Sequence, residues 1–169
     1  MVKILQMGEP ILRTICAPVD LDNIPKTLLK DLKEAVFSQS DGVAIAAPQI
    51  GSPLRVFYIA GSVLKKAEPD KHDKEKDDMY FINPVIIKKS RETQVLEEGC
   101  LSIRYLYGKV RRPKKITIRA YDENGVLFER GASGLLAQIM QHENDHLDGV
   151  LFIDKAVDVE EILPDENNA

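Results

Sequence analysis

Tryptophan is absent from this sequence, and cysteine and histidine nearly so: Cys16 and Cys100, then His72, His142 and His146. Two cysteines cannot build a disulfide framework or a four-cysteine zinc module, and their scarcity suits a reducing compartment. No apolar run approaches the roughly 18 residues that a bilayer span requires. The segment from Met1 to Gly8 offers no apolar stretch of signal-peptide length before Glu9 and Pro10 interrupt it. These absences predict a cytoplasmic protein with no membrane association.

What is present fits an ordinary globule. The chain has 169 residues and is 44% hydrophobic, which predicts one domain over residues 1–169 with a core that needs no covalent staples. A net charge of -4 argues against stable nucleic-acid binding, but the charge is unevenly spread. Residues 154–169 carry six acids and one lysine, an acidic tail; the run from Arg104 to Lys115 carries six basic residues and no acid. The basic run reads first as a solvated strand-and-loop face, and second as a surface that meets an anionic partner such as RNA.

Apolar residues at Leu28, Leu29, Leu32, Ala35 and Val36 recur at helical spacing after Pro25, which suits a first helical position. A glycine- and proline-marked stretch from Gly42 to Pro53 leads into a buried strand over 54–60. Residues 64–78 are charged and read as a solvent loop, with His72 inside it as a bystander. Strand patterns follow at 79–87, 93–96, 116–121 and 126–129, the last two joined by Asn124-Gly125, a strong hairpin signal. A second helix opens after Ser133, a suitable N-cap, and the tail beyond Asp154 suggests a further helical turn before Pro164. Strands in runs, not alternating with helices, predict an α+β fold.

The second helix carries His142-Glu143-Asn144-Asp145-His146. Side chains four apart share a helix face, about 6 Å apart along the axis, so two imidazoles there reach one cation. The glutamate beside the first histidine is placed to hold a water, not the metal. Leu135 and Ile139 continue the same stripe and wall the approach. A catalytic site of this kind takes three protein ligands and an open position. No histidine follows His146, which leaves Glu160 or Glu161 in the tail, or Cys100 upstream within Glu97-Glu98-Gly99-Cys100-Leu101-Ser102. Cys16, between Ile15 and Ala17, reads as core.

Three segments, Gly42-Val43-Ala44-Ile45-Ala46-Ala47-Pro48-Gln49-Ile50-Gly51, Glu98-Gly99-Cys100-Leu101-Ser102 and Gln141-His142-Glu143-Asn144-Asp145-His146, jointly resemble the motifs of the peptide deformylases, in the family's order. The resemblance runs roughly from Ile4 to Asp154. It implies antiparallel sheets packed around a central helix bearing H-E-x-x-H. It implies that Cys100, His142 and His146 hold one divalent ion, Fe(II) favoured, with Zn(II), Ni(II) and Co(II) as alternatives. It also implies that the enzyme removes the formyl group from the N-terminal methionine of nascent polypeptides, in transient proximity to the ribosome. Glu143 is then the proton carrier, while the Gln49 amide and the Leu101 backbone N–H face the developing oxyanion. Leu96, Leu135 and Ile139 would line a slot for the methionine side chain, with Gln138 at its mouth, and the substrate backbone would lie along Val43 and Ala44.

The chain departs from the family's pattern at two of these places. Ala44 stands where the loop usually carries its second glycine, which either adds a methyl in the substrate's path or excludes a positive φ. Ile103-Arg104-Tyr105-Leu106-Tyr107 replaces the usual Val/Ile-Pro continuation and predicts a different cleft rim. The acidic tail also lacks the basic helix with which some members dock on the ribosome. Charge pairing predicts that Asp145 meets Arg112 and fixes the helix against the sheet. Two rival readings are a zinc peptidase using Glu160 or Glu161, and a non-catalytic binder of formyl-methionyl termini.

Overall fold

The computed structural model describes residues 2–67 and 78–163. Three α-helices, α1 (Lys26–Phe37), α2 (Gly61–Ala67) and α3 (Gly134–Leu147), accompany eight strands: β1 (Ala44–Ala46), β2 (Val56–Ile59), β3 (Met79–Lys89), β4 (Thr93–Cys100), β5 (Ile103–Pro113), β6 (Lys115–Tyr121), β7 (Leu127–Ser133) and β8 (Val157–Glu161). The strands form two antiparallel sheets, one in the order β1-β2-β3-β6-β7 and one in the order β4-β5-β8. Helix α3 touches both sheets and is buried along most of its length, from Leu136 to Leu147. The fold is α+β, with antiparallel sheets around a central helix that carries H-E-x-x-H.

Two apolar clusters hold this arrangement. The larger joins Leu29, Leu32, Ala35 and Val36 of α1 to the inner face of the five-stranded sheet and to Leu136, Ala137 and Met140 of α3. Phe57 and Phe81 stack across β2 and β3 with ring centroids 4.5 Å apart, adding aromatic contact to burial. Cys16 belongs to this core, and burial pushes its thiol up to about 11, so it remains a neutral apolar group. The smaller cluster, Leu12, Ile103, Val110, Leu151 and Phe152, packs beneath the three-stranded sheet. Both clusters grip α3 or its flanks, which is what holds the histidine-bearing face at a fixed distance from β4.

Several local expectations shift. Pro25 is the N-cap of α1 and not its first helical residue, with φ and ψ in the extended region. Ser133 occupies the N-cap position of α3 but its side chain makes no capping bond. The charged segment does not begin as a loop: residues 64–67 finish α2, and Leu64 is buried in the main core. The remainder of that segment through residue 77, with His72, lies outside the described residues. The basic run lies from Arg104 to Arg112 on strand β5, whose two edges pair with β4 and β8, while Lys114 follows that strand and Lys115 opens β6. Four of its six basic residues form ion pairs: Arg104 with Asp41, Lys109 with Asp158, Arg112 with Glu98 and Asp145, and Lys114 with Glu92. The tail after a short turn at Phe152–Asp154 forms strand β8, not helix. Asn124-Gly125 does lie in the β6–β7 hairpin, where Gly125 takes a φ of 77°.

Candidate metal centre

The four-residue spacing on α3 brings His142 and His146 onto one face, with ring centroids 5.1 Å apart. Strand β4 supplies the third donor. Between Glu98 and Cys100 its register against β5 shifts, and Gly99 lies so close to the Tyr107 ring that a Cβ there would come within 2.7 Å of it. Residues two apart on a strand share a face, so Glu98 and Cys100 both reach α3. One ligand atom from each of Cys100, His142 and His146 lies within 4.8 Å of the other two, the one such grouping among the described residues. Cys100 Sγ is 3.3 Å from His146 Nε2. Glu160 and Glu161 are exposed on β8, paired with Tyr107 and Leu106 of β5, and do not join the group; the edge pairing holds them there.

A chain of charges lies behind these donors. His142 Nδ1 is 2.9 Å from Glu98 Oε2, which leaves Nε2 free to face the donor set. Arg112 grips both oxygens of Glu98, its Nη2 at 2.9 Å, while its Nη1 reaches Asp145 Oδ2 at 2.8 Å. Lys155 Nζ approaches the same Asp145 oxygen at 2.7 Å. Burial pushes the Glu98 carboxyl up, but the bonds from Arg112 and His142 outweigh it and hold it down at about 2. The charged carboxylate is therefore a permanent acceptor for the His142 N–H. Burial disfavours charge on His142, yet its bonds with Cys100 and Glu98 hold it well above the ordinary imidazole value. Burial and the neighbouring His142 hold His146 well below that value.

Glu143 is 5% exposed, and its Oε2 has no hydrogen-bond partner. Burial pushes its carboxyl up to about 7; His142 and Arg112 oppose the shift and Glu98 adds to it. Gln49 is also buried, positioned by a short helix at Ala47–Ile50 that Gly51 ends with a φ of 88°. Its Oε1 accepts from the Ala46 N–H at 2.8 Å, and its Nε2 donates to Ser102 Oγ at 3.0 Å and lies 3.5 Å from Cys100 Sγ. Leu101 lines the same cleft, and its carbonyl accepts from Gln6 Nε2 at 3.0 Å.

Val43, Ala44, Leu135, Gln138 and Ile139 line the cleft in front of the donors. Gln138 is pinned by donating to the Glu97 carbonyl at 2.9 Å. Ala44 is a buried, extended strand residue, so no positive φ is required there. Leu96 shares the face of β4 with Gln94 and Glu98, which bond α3, and is half-buried there. Sequence reasoning gave no role to Glu98 or Ser102, although both fall inside the cysteine motif. A carboxylate two residues before a candidate ligand on a strand was the available signal.

The profile of the polypeptide deformylase family matches residues 1–161, the stretch that holds every donor just described. The chain belongs to that family. It is 40% identical over 158 residues to the peptide deformylase of Fusobacterium nucleatum subsp. nucleatum, a match covering 90% of this chain and 82% of that relative. It is 41% identical over 149 residues to the peptide deformylase of Rhizobium meliloti, covering 88% and 80%. Among solved structures, the peptide deformylase of Thermotoga maritima aligns with a TM-score of 0.79 and 33% identity, over 93% of this chain and 98% of that one. The Synechococcus elongatus peptide deformylase in complex with actinonin gives a TM-score of 0.79 and 32% identity over 93% and 79%.

Membership makes the protein a hydrolase that removes formyl groups, and a metal-dependent one. The donor set fits that dependence. A thiolate with two imidazoles is a donor set for a divalent transition ion, and the unpartnered Glu143 oxygen beside it is a buried acceptor that a water would satisfy. No helix among the described residues is long and apolar enough to cross a membrane.

Proposed function

We propose that this chain, acting as one catalytic domain in the cytoplasm, removes the formyl group from the N-terminal methionine of nascent polypeptides at the Cys100–His142–His146 centre. The observation that carries the reading is Glu143: a buried carboxylate, poised near neutrality, with one oxygen unpartnered in the cleft beside the three donors. Cys100, His142 and His146 would hold one divalent ion, Fe(II) by preference, with Zn(II), Ni(II) or Co(II) accepted by the same donors. When bound, such an ion polarises a carbonyl and lowers the pKa of water toward neutrality.

The protein's own groups do the rest. Glu143 takes a proton from the attacking water as oxygen adds to the formyl carbon, and gives it to the amine nitrogen as the C–N bond breaks. Formate and a free amino terminus result. Gln49 Nε2, locked by its bonds to Ala46 and Ser102, is a fixed donor for the oxyanion, and the Leu101 N–H is the second. Strand β1 is at the edge of its sheet, and with the Val43 carbonyl taken by the Ala60 N–H, it is Ala44 that offers backbone groups to an extended peptide adding as a further strand along Val43 and Ala44. That mode reads backbone, which suits an enzyme meeting many nascent chains in transient proximity to the ribosome. Leu135 and Ile139 supply an apolar wall for the methionine side chain, with Gln138 beside them.

The test is formate release from a formyl-methionyl peptide, with samples loaded anaerobically with Fe(II), Ni(II), Co(II) or Zn(II). Turnover is expected, greatest with Fe(II) and declining in air as the metal or Cys100 oxidises. No formate with any of the four ions would overturn the proposal.

A further inference from the structure

The last described residues do not leave the molecule. Strand β8 lies antiparallel along the free edge of β5, with Glu161 opposite Leu106 and Glu160 opposite Tyr107. The pairing continues one residue further: the Ile162 N–H donates to the Tyr105 carbonyl at 2.8 Å. Gly108 permits this seat, since a Cβ there would come within 2.9 Å of Ala156 Cβ and 3.1 Å of Val159 Cγ2. The chain is thus led to the mouth of the cleft, where Ile162 and Leu163 join its lining. Both remain exposed, at 50% and 63%, and Tyr105 beside them holds a left-handed φ of 66° with its side chain 43% exposed. Three large apolar groups facing water at the rim of a substrate cleft call for an occupant.

The geometry points to Ile162, Leu163 and Tyr105 as a specificity-determining wall that takes an apolar side chain of the substrate peptide downstream of its first residue. The occupant follows from continuity: the same cleft contains the donors, Glu143 and the β1 edge, and a peptide extended along β1 must leave it past its rim. Glu97 and Glu160 flank Ile162, and so do Lys109 and Asp158, which pair with each other, so selection at this wall rests on its apolar groups. This inference rests on the deformylase reading.

The test compares kcat/KM for three substrates: formyl-Met-Leu-Leu, formyl-Met-Ser-Ser and formyl-methionine amide, in the wild type and in the Ile162→Ser, Leu163→Ser double variant. The wild type should prefer the leucine peptide over the serine peptide by about three- to tenfold, through KM more than kcat. The double variant should lose that preference while keeping its rate on formyl-methionine amide. Thermal melting and metal content, unchanged in the variant, separate this from a collapse of β8. No turnover of any substrate by the wild type would sink the deformylase reading itself. Normal wild-type turnover with an equal preference in both proteins would overturn this inference alone. So would sedimentation showing a dimer that the substitutions dissociate while the substrate preference stays unchanged.

Discussion

The wall of the cleft formed by α3 and β4 differs in kind from its rim. On the wall, charges are buried and linked: Glu98 and Arg112 are 5% and 4% exposed, and the sequence of contacts runs from Lys155 through Asp145, Arg112 and Glu98 to His142. On the rim, Val43, Tyr105, Leu135, Ile162 and Leu163 are 42–63% open to water, and Tyr105 holds an unfavourable backbone angle. A buried ionic network tolerates little change, because removing one partner leaves another charge uncompensated. An exposed apolar rim tolerates substitution at small energetic cost and so is where substrate preference can vary. Chemistry is fixed by the wall, and selection among peptides by the rim.

The largest effect expected from breaking the wall is at Glu143. Glu143→Gln removes the proton carrier without removing a ligand, so formate release should fall by about 10²–10⁴-fold, while metal content stays at the wild-type value. A variant that lost its metal as well would place Glu143 in the support of the ion instead.

Glu98→Ala comes next. It frees His142 from its acceptor and leaves the buried Arg112 with Asp145 alone, so metal affinity should fall by about 10–100-fold, and stability by roughly 3 kcal/mol. Metal titration and denaturant unfolding measure the two losses separately. Asp145→Asn should act in the same direction but less, since Arg112 keeps Glu98. Unchanged metal content and melting temperature in that variant would remove Asp145 from the network.

How far each region was legible follows from the same difference. His142, Glu143 and His146 declared themselves because helical spacing converts sequence distance directly into shared direction. Cys100 was one of three possible third donors on the residues alone. Only the packing of one face of β4 against α3 and the pairing of β8 with β5 set Cys100 inward and Glu160 and Glu161 outward. The Arg112–Asp145 contact was readable as a charge match. Glu98, which joins that pair to His142, was not, since its role depends on which face of β4 meets α3. The tail's acidic composition gave no sign of a strand, because β8 owes its form to the waiting edge of β5 and is exposed throughout. Its hydrophobic pair at Ile162 and Leu163 acquires meaning only from where that pairing leads.

The smallest expected effect lies outside both regions and serves as a control on the comparison. Arg13 bonds both oxygens of Asp154, and this bond, opposed by burial, holds the Asp154 carboxyl below its ordinary value. A depressed folded-state pKa contributes stability above the ordinary carboxylate value of about 3.9, and that contribution is lost as pH falls through the folded value. The melting temperature of Arg13→Gln should therefore lie about a degree or two below wild type at pH 7, and the gap should close as the pH is lowered below 4. A gap that widened on acidification would contradict the assignment.

The central claim is that Cys100 and the two α3 histidines, not the tail carboxylates, form the centre at which formate is released. Metal per chain and formate release, measured anaerobically on the same samples of wild type, Cys100→Ser and Glu160→Ala,Glu161→Ala, test it directly. The account predicts one divalent ion and full turnover in the wild type and the tail variant, and loss of both in Cys100→Ser. Retention of metal and activity in Cys100→Ser, with their loss in the tail variant, would contradict it.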